Sequence, residues 1–290
     1  MSIHNEANST HKRAVVVFLG AWLAVSGVLF LPGRAFAQLE TMNDGGSTAT
    51  INLGSSAGMN SWTVNGQNQL NQQWFWYQTD GGIAQPINTI GTPTVTLTGL
   101  NEVTAVYQNS QISISIDYYL QGGGVGSGNA DITESIMAVN QSHGSLNLNF
   151  YQYSNFRLLG GVGGDTVQIF GSPGAYNFVR QANGATAIQE AVTSPNAMYA
   201  EAATVNQTLN ELGTVSGLTL NGNTTAGPGD VTWALQWNQE LAANGDSGDE
   251  FDLTKDKSLS IQTVPEPSTM ALIALGAGAL GLALRRKKAC

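Results

Sequence analysis

Cysteine is almost missing from this chain: Cys290, the last of its 290 residues, is the single thiol. Disulfides, thiolate nucleophiles and cysteine-held zinc or iron–sulfur groups are therefore excluded from the body of the protein. Positive charge is nearly as scarce. Between Gln38 and Val264, Arg157, Arg180, Lys255 and Lys257 face 18 acidic side chains, a net charge of −14. Such a surface repels phosphates and anionic headgroups, which argues against nucleic acid and lipid surfaces as partners. Histidine is reduced to His143 over the same stretch, in "NQSHGSL", and no G-x-S-x-G elbow accompanies it. His143 reads as an exposed turn residue. The glycine clusters "QGGGVGSGN" and "LLGGVGGD" match no G-x-G-x-x-G pattern and read as hairpin loops, so no cofactor is implied.

What is present is clearest at the two ends. Lys12 and Arg13 precede an apolar stretch from Ala14 to Leu31, and Ala35 and Ala37 then stand at −3 and −1 before Gln38. A charged start, an apolar run and a small-residue site describe a secretory signal peptide over residues 1–37, predicted as a helix removed on export. At the other end, Val264-Pro265-Glu266-Pro267-Ser268 leads into an apolar run of 15 residues, Met270 to Leu284. As a helix this run spans roughly 22 Å, short of a bilayer core of about 30 Å. Ala274, Gly276, Ala277, Gly278, Ala279, Gly281 and Ala283 keep it slim, which suits contact with another membrane protein. Arg285, Arg286, Lys287 and Lys288 then act as a membrane stop, because basic clusters stay on the cytoplasmic side.

That ordered set, a Pro-Glu-Pro motif, a short apolar helix and a basic cluster, resembles the PEP-CTERM sorting tail. The resemblance covers residues 263–290 and implies recognition by a membrane-embedded exosortase that cuts near the motif. It further implies export, a transient inner-membrane intermediate, and a destination at the cell surface or in the extracellular matrix of a Gram-negative-type bacterium, with exopolysaccharide as a possible partner. Cys290 lies beyond the pattern and would leave with the tail. The logic resembles that of other removable hydrophobic C-terminal signals.

Between these signals, residues 38–262 are predicted to form one secreted domain. Period-two alternation dominates, as in "TPTVTLTGL" from Thr92, "QISISIDYYL" from Gln111 and "SLNLNFYQYSNF" from Ser145. "DTVQIFG", "YNFVRQ", "TAIQEAV" and "DVTWALQW" continue it. Turn pairs such as Asn65-Gly66, Asn183-Gly184 and Asn244-Gly245 punctuate the strands. The expected fold is all-β, an antiparallel β-sandwich or jelly roll. One short helix is expected over Val205 to Leu212, and a long connection from Gly213 to Asp230. The body is also loosely similar to other PEP-CTERM proteins through "GPGDVTWALQW", "TLNEL" and "KDKSLSI", a likeness that implies a sandwich and no activity.

Three places could carry chemistry. In "QQWFWYQ", Trp74 and Trp76 share one strand face, and Trp233 lies in "TWALQW"; exposed, they would stack on sugar rings, although core strands bury such residues more often. The acidic segment "NGDSGDEFDLTKD" offers Asp246, Asp249 and Asp252 as weak calcium ligands, but its spacing fits no EF-hand and a solvated hairpin turn is the expectation. Carboxylates such as Asp131 and Glu134 could serve a glycan hydrolase, which needs two acids at a set separation. With no recognisable catalytic set, the first expectation is a non-enzymatic exported matrix or surface protein. A carbohydrate-binding module or a glycan-active hydrolase is the alternative.

Overall fold

The computed structural model describes residues 38–261. The predicted signal helix, with Ala35 and Ala37, and the sorting tail with its apolar helix and basic cluster lie outside the described residues. Among the described residues no helix is long and apolar enough to cross a membrane.

In chain order the strands are β1 (Leu39–Asp44), β2 (Ser47–Asn52), β3 (Gly58–Val64), the two-residue β4 (Gln67–Asn68), β5 (Leu70–Thr79), the two-residue β6 (Gln85–Pro86) and β7 (Thr94–Thr98). β8 (Glu102–Gln108), β9 (Ile112–Gly122), β10 (Asn129–Asn140), β11 (Leu146–Phe156), β12 (Asp165–Phe170), β13 (Phe178–Asn183), β14 (Thr186–Ser194) and β15 (Tyr199–Thr204) follow. After α1 (Gln207–Thr214) come β16 (Thr225–Gly229), β17 (Val231–Leu241) and β18 (Glu250–Ser260). They form two nine-stranded sheets. The first runs β1-β2-β3-β5-β11-β17-β15, with β4 beside β3 and β6 beside β5; the second runs β16-β12-β13-β14-β18-β10-β9-β8-β7. Neighbours pair antiparallel apart from the brief β3–β5 contact. The expected antiparallel sandwich is what the described residues form.

The alternation that predicts the strands also sorts their faces, because successive side chains point to opposite sides of a sheet. Ile112, Ile114, Ile116, Tyr118 and Leu120 of β9 are buried, and Ser113, Ser115, Asp117 and Tyr119 between them face outward. Turn chemistry holds the register: Asn65 and Gly66 both adopt positive φ, 50° and 79°, as a tight hairpin turn between β3 and β4 requires.

Between the sheets lies an aromatic core. Phe156 stacks on Trp233 at 6.3 Å and meets Trp62 edge-on, while Phe150 stacks on Phe75 at 5.4 Å and touches Phe251. Fully burying one such side chain contributes about 1.5–3 kcal/mol.

Two expectations are corrected. The stretch Gly213 to Asp230 is not all connection, since Thr225–Gly229 pairs with β12 as β16. The acidic segment is not a solvated turn throughout: the turn ends before Glu250, where the central strand β18 begins. There Phe251, Leu253, Lys255, Lys257 and Leu259 all point into the core. Lysine at two core positions hides the apolar alternation that would have announced the strand.

Candidate functional site

The two sheets differ on their outer faces. That of the first sheet is closed over. Tyr151 Oη donates to the Leu218 carbonyl at 2.8 Å, Leu220 N donates to Gln236 Oε1 at 2.9 Å, and Trp74 Nε1 donates to Asn88 Oδ1 at 3.3 Å. The segment after α1 and the loop after β6 therefore seal this side. Burial pushes the Tyr151 and Tyr153 hydroxyls up to about 12.

Among the described residues, the outer face of the second sheet carries no such cover. Its strand register assembles one polar row, Gln121, Asp131, Ser258, Gln189, Arg180, Gln168 and Thr225, crossing seven neighbouring strands. At about 4.8 Å per strand the row is nearly 30 Å long. The next row reads Glu102, Tyr119, Thr133, Asp256, Ala191, Phe178 and Phe170. Tyr119 and Phe170 are exposed, and Phe170 packs against Phe178 with ring centroids 5.5 Å apart. Acids, amides, hydroxyls and one guanidinium thus lie beside aromatic rings on an open surface.

Its carboxylates are held in place. Asp131 Oδ1 accepts from Ser258 Oγ at 2.5 Å, Asp256 Oδ1 from Thr133 Oγ1 at 2.8 Å, and Asp117 Oδ1 from Thr104 Oγ1 at 2.9 Å. Each bond comes from the adjacent strand, so each acid is oriented by its neighbour. Because Asp131 lies opposite Ser258, Asp131 and Asp256 are diagonal partners, a relation that sets residues about 7–8 Å apart. Shallow depressions of about 300, 240 and 200 Å³ mark this face, the first beside Gln168 and Arg180, the second beside Asp131 and Gln189, the third beside Asp117 and Asp252. Arg180 is the one basic side chain among the described residues that is exposed, since Arg157 reaches Asp230 at 3.4 Å and both lysines are buried.

The residues singled out from sequence fall elsewhere, with two exceptions, Asp131 and Asp252. Trp74, Trp76 and Trp233 are 0%, 4% and 0% exposed, so none offers a ring to a glycan. Asp131 stands on the open face, whereas Glu134, three residues along the same strand, points into the core and cannot pair with it. Of the calcium candidates, Asp249 Oδ2 accepts from Gly245 N at 2.8 Å within the turn, and Asp252 lies on the outer face of β18. Among the described residues no three His, Cys, Asp or Glu side chains gather as a metal site. His143 is exposed in the turn after β10. Tyr119 and Arg180 were not singled out, and Asp256 was seen only within the acidic segment, because cross-strand register, invisible in the linear chain, is what sets them on one face.

Two stacked antiparallel sheets define the class of protein as an all-β sandwich. A bacterial glucoamylase, solved in complex with acarbose, aligns with a TM-score of 0.52 and 9% identity over 84% of this chain; the chain spans 36% of that protein. A galactose mutarotase related enzyme from Lactobacillus acidophilus aligns with a TM-score of 0.51 and 9% identity, covering 78% of this chain and 98% of the enzyme. At such identity the likeness is one of fold. A search of curated proteins found no match. The C-terminal residues 263–287 match the PEP-CTERM protein-sorting motif, which implies exosortase processing and export through the membrane.

These neighbours correct the expectation of a non-enzymatic protein. That expectation rested on the lack of a linear catalytic motif, yet the fold is one on which enzymes acting on sugars are built. Acid–base chemistry on a sheet needs carboxylates spaced across strands, an arrangement that leaves no linear signature.

Proposed function

We propose that the chain is an exported carbohydrate-active protein whose saccharide lies along the open face of the second sheet. The observation that carries this reading is the hydroxyl-anchored pair Asp131 and Asp256 on adjacent strands, beside exposed Tyr119 and on the same face as Arg180. A diagonal cross-strand separation falls within the range that glycoside hydrolysis uses, about 5–5.5 Å for a nucleophilic carboxylate or 6.5–9.5 Å where a water intervenes. Tyr119 supplies the apolar platform for a sugar ring, and the amides and hydroxyls of the polar row bond its hydroxyl groups. Asp131 and Asp256 divide the roles of general acid and base at the glycosidic bond.

Export delivers this face to the cell's own extracellular polysaccharide, the substrate class its polar lining suits. In this reading residues 1–37 leave as the leader, exosortase removes 263–290, and 38–262 remain as the mature domain at the surface or in the matrix. Mature protein incubated with a panel of bacterial exopolysaccharides is expected to release reducing ends, and Asp131→Asn is expected to abolish that release while leaving the fold intact. Equal release by the variant and the parent protein would refute the assignment.

A further inference from the structure

We propose that Glu134 and Lys255 condense to an intramolecular amide that staples β10 covalently to β18. The two side chains are directly opposite in the antiparallel register, both fully buried, and in contact through Lys255 Nζ and Glu134 Oε2. Lys255 Nζ also sits 4.6 Å from the centre of the Phe75 ring, which excludes water from that side. Lys257 lies 2.5 Å from the same Glu134 oxygen and 3.4 Å from Glu190 Oε2, and Gln152 reaches across from the other sheet to Glu190 at 2.8 Å. Glu134 Oε1 and Glu190 Oε1 are buried with no hydrogen-bond partner.

This is an expensive place to keep ions, and condensation removes two of them. Burial holds the Lys255 amine well below the usual ammonium range, with Lys257 adding to the effect, and burial likewise raises the Glu190 carboxyl. Burial therefore favours passing the Lys255 proton to its partner, which leaves a nucleophilic amine against a carboxyl group in a dry site. Holding both reactants in contact supplies the entropy that the reaction would otherwise need.

The step balances without any oxidant or co-reactant. A proton passes from the Lys255 ammonium to the Glu134 carboxylate. Lys255 Nζ then bonds to Glu134 Cδ, and the Cδ–Oε2 bond breaks. Lys257 donates its proton to the departing oxygen and regains one from Lys255 Nζ, with Glu190 steadying its charge, so one water leaves and the amide remains. Nothing is oxidised or reduced. The staple closes a loop of 121 positions in an exported domain that has no cysteine between Gln38 and Val264 with which to form a disulfide.

Mass spectrometry of the mature, exported protein, denatured before measurement, tests the proposal. The wild-type chain should weigh one water less than the linear chain of the same sequence. Trypsin cleavage after Arg157 and Arg180, both inside the loop, should leave the pieces carrying Glu134 and Lys255 joined under reducing, denaturing conditions. Lys255→Met should show its full mass and separable pieces. A wild-type chain at full mass, with pieces that separate, would overturn the staple whether or not the variant folds.

Discussion

One sheet buries its outer face and the other bares it. On the first, Tyr151, Tyr153, Trp76 and Gln236 are buried, and the segment that follows α1 bonds Tyr151 and Gln236. On the second, Tyr119 and Arg180 are exposed and Asp131 and Asp256 are half-buried. Both faces hold aromatic and polar side chains, so composition does not distinguish them. What differs is cover, and cover decides whether a ring stabilises the fold or is available to a ligand. Tyrosine lies on both sides, with Tyr151 and Tyr153 under cover and Tyr119 in the open, so residue type does not decide the matter.

Substitution should separate the two sides cleanly. The largest effect is expected at Trp233, stacked on Phe156 in the core: Trp233→Ala should cost about 3–5 kcal/mol of stability in denaturant unfolding. Next comes Asp256→Asn on the open face, expected to lower turnover of a saccharide about 100-fold or more, the scale of general acid–base catalysis, with the unfolding midpoint unchanged. Tyr119→Ala should weaken saccharide binding while moving stability by no more than about 0.5 kcal/mol, as exposed positions do. A Trp233 variant that unfolds no more easily than the Tyr119 variant would erase the distinction between buried and exposed rings.

The smallest effect concerns pH and the covered side. Burial raises the Glu201 carboxyl above its usual 4.5, although Thr208 Oγ1 donates to it at 2.6 Å. The folded state then holds a proton that the unfolded state releases, so this group's contribution is complete below about pH 4.5 and falls as pH rises toward the folded value. Glu201→Gln should remove that decline, and its melting temperature should gain on the wild type as pH rises from 4 to 7. Parallel pH profiles would contradict the assignment.

Much of the fold was legible in the chain. The serine–isoleucine alternation of β9 and the Asn-Gly turns translate directly into strand, face and hairpin. The short helix was expected at Val205 to Leu212 and is found at Gln207–Thr214. β16 escaped notice because "TAGPG" carries two glycines and a proline, and β18 because its core positions include Lys255 and Lys257. The site was far less legible. Asp131, Ser258, Gln189 and Arg180 are neighbours only because β10, β18, β14 and β13 pair in that order, and neither period nor spacing encodes the order of strands. Asp131 was within reach of a sequence argument, but its partner was sought three residues away, on the wrong face, rather than on β18.

The role proposed for the open face depends most heavily on where a sugar sits. Backbone amide chemical-shift mapping of the mature domain during titration with an oligosaccharide answers that directly. Shifts concentrated on β9, β10, β18, β14 and β13 around Tyr119, Asp131, Asp256 and Arg180 are the predicted result. Shifts confined to the first sheet, or none at saturating sugar, would contradict it.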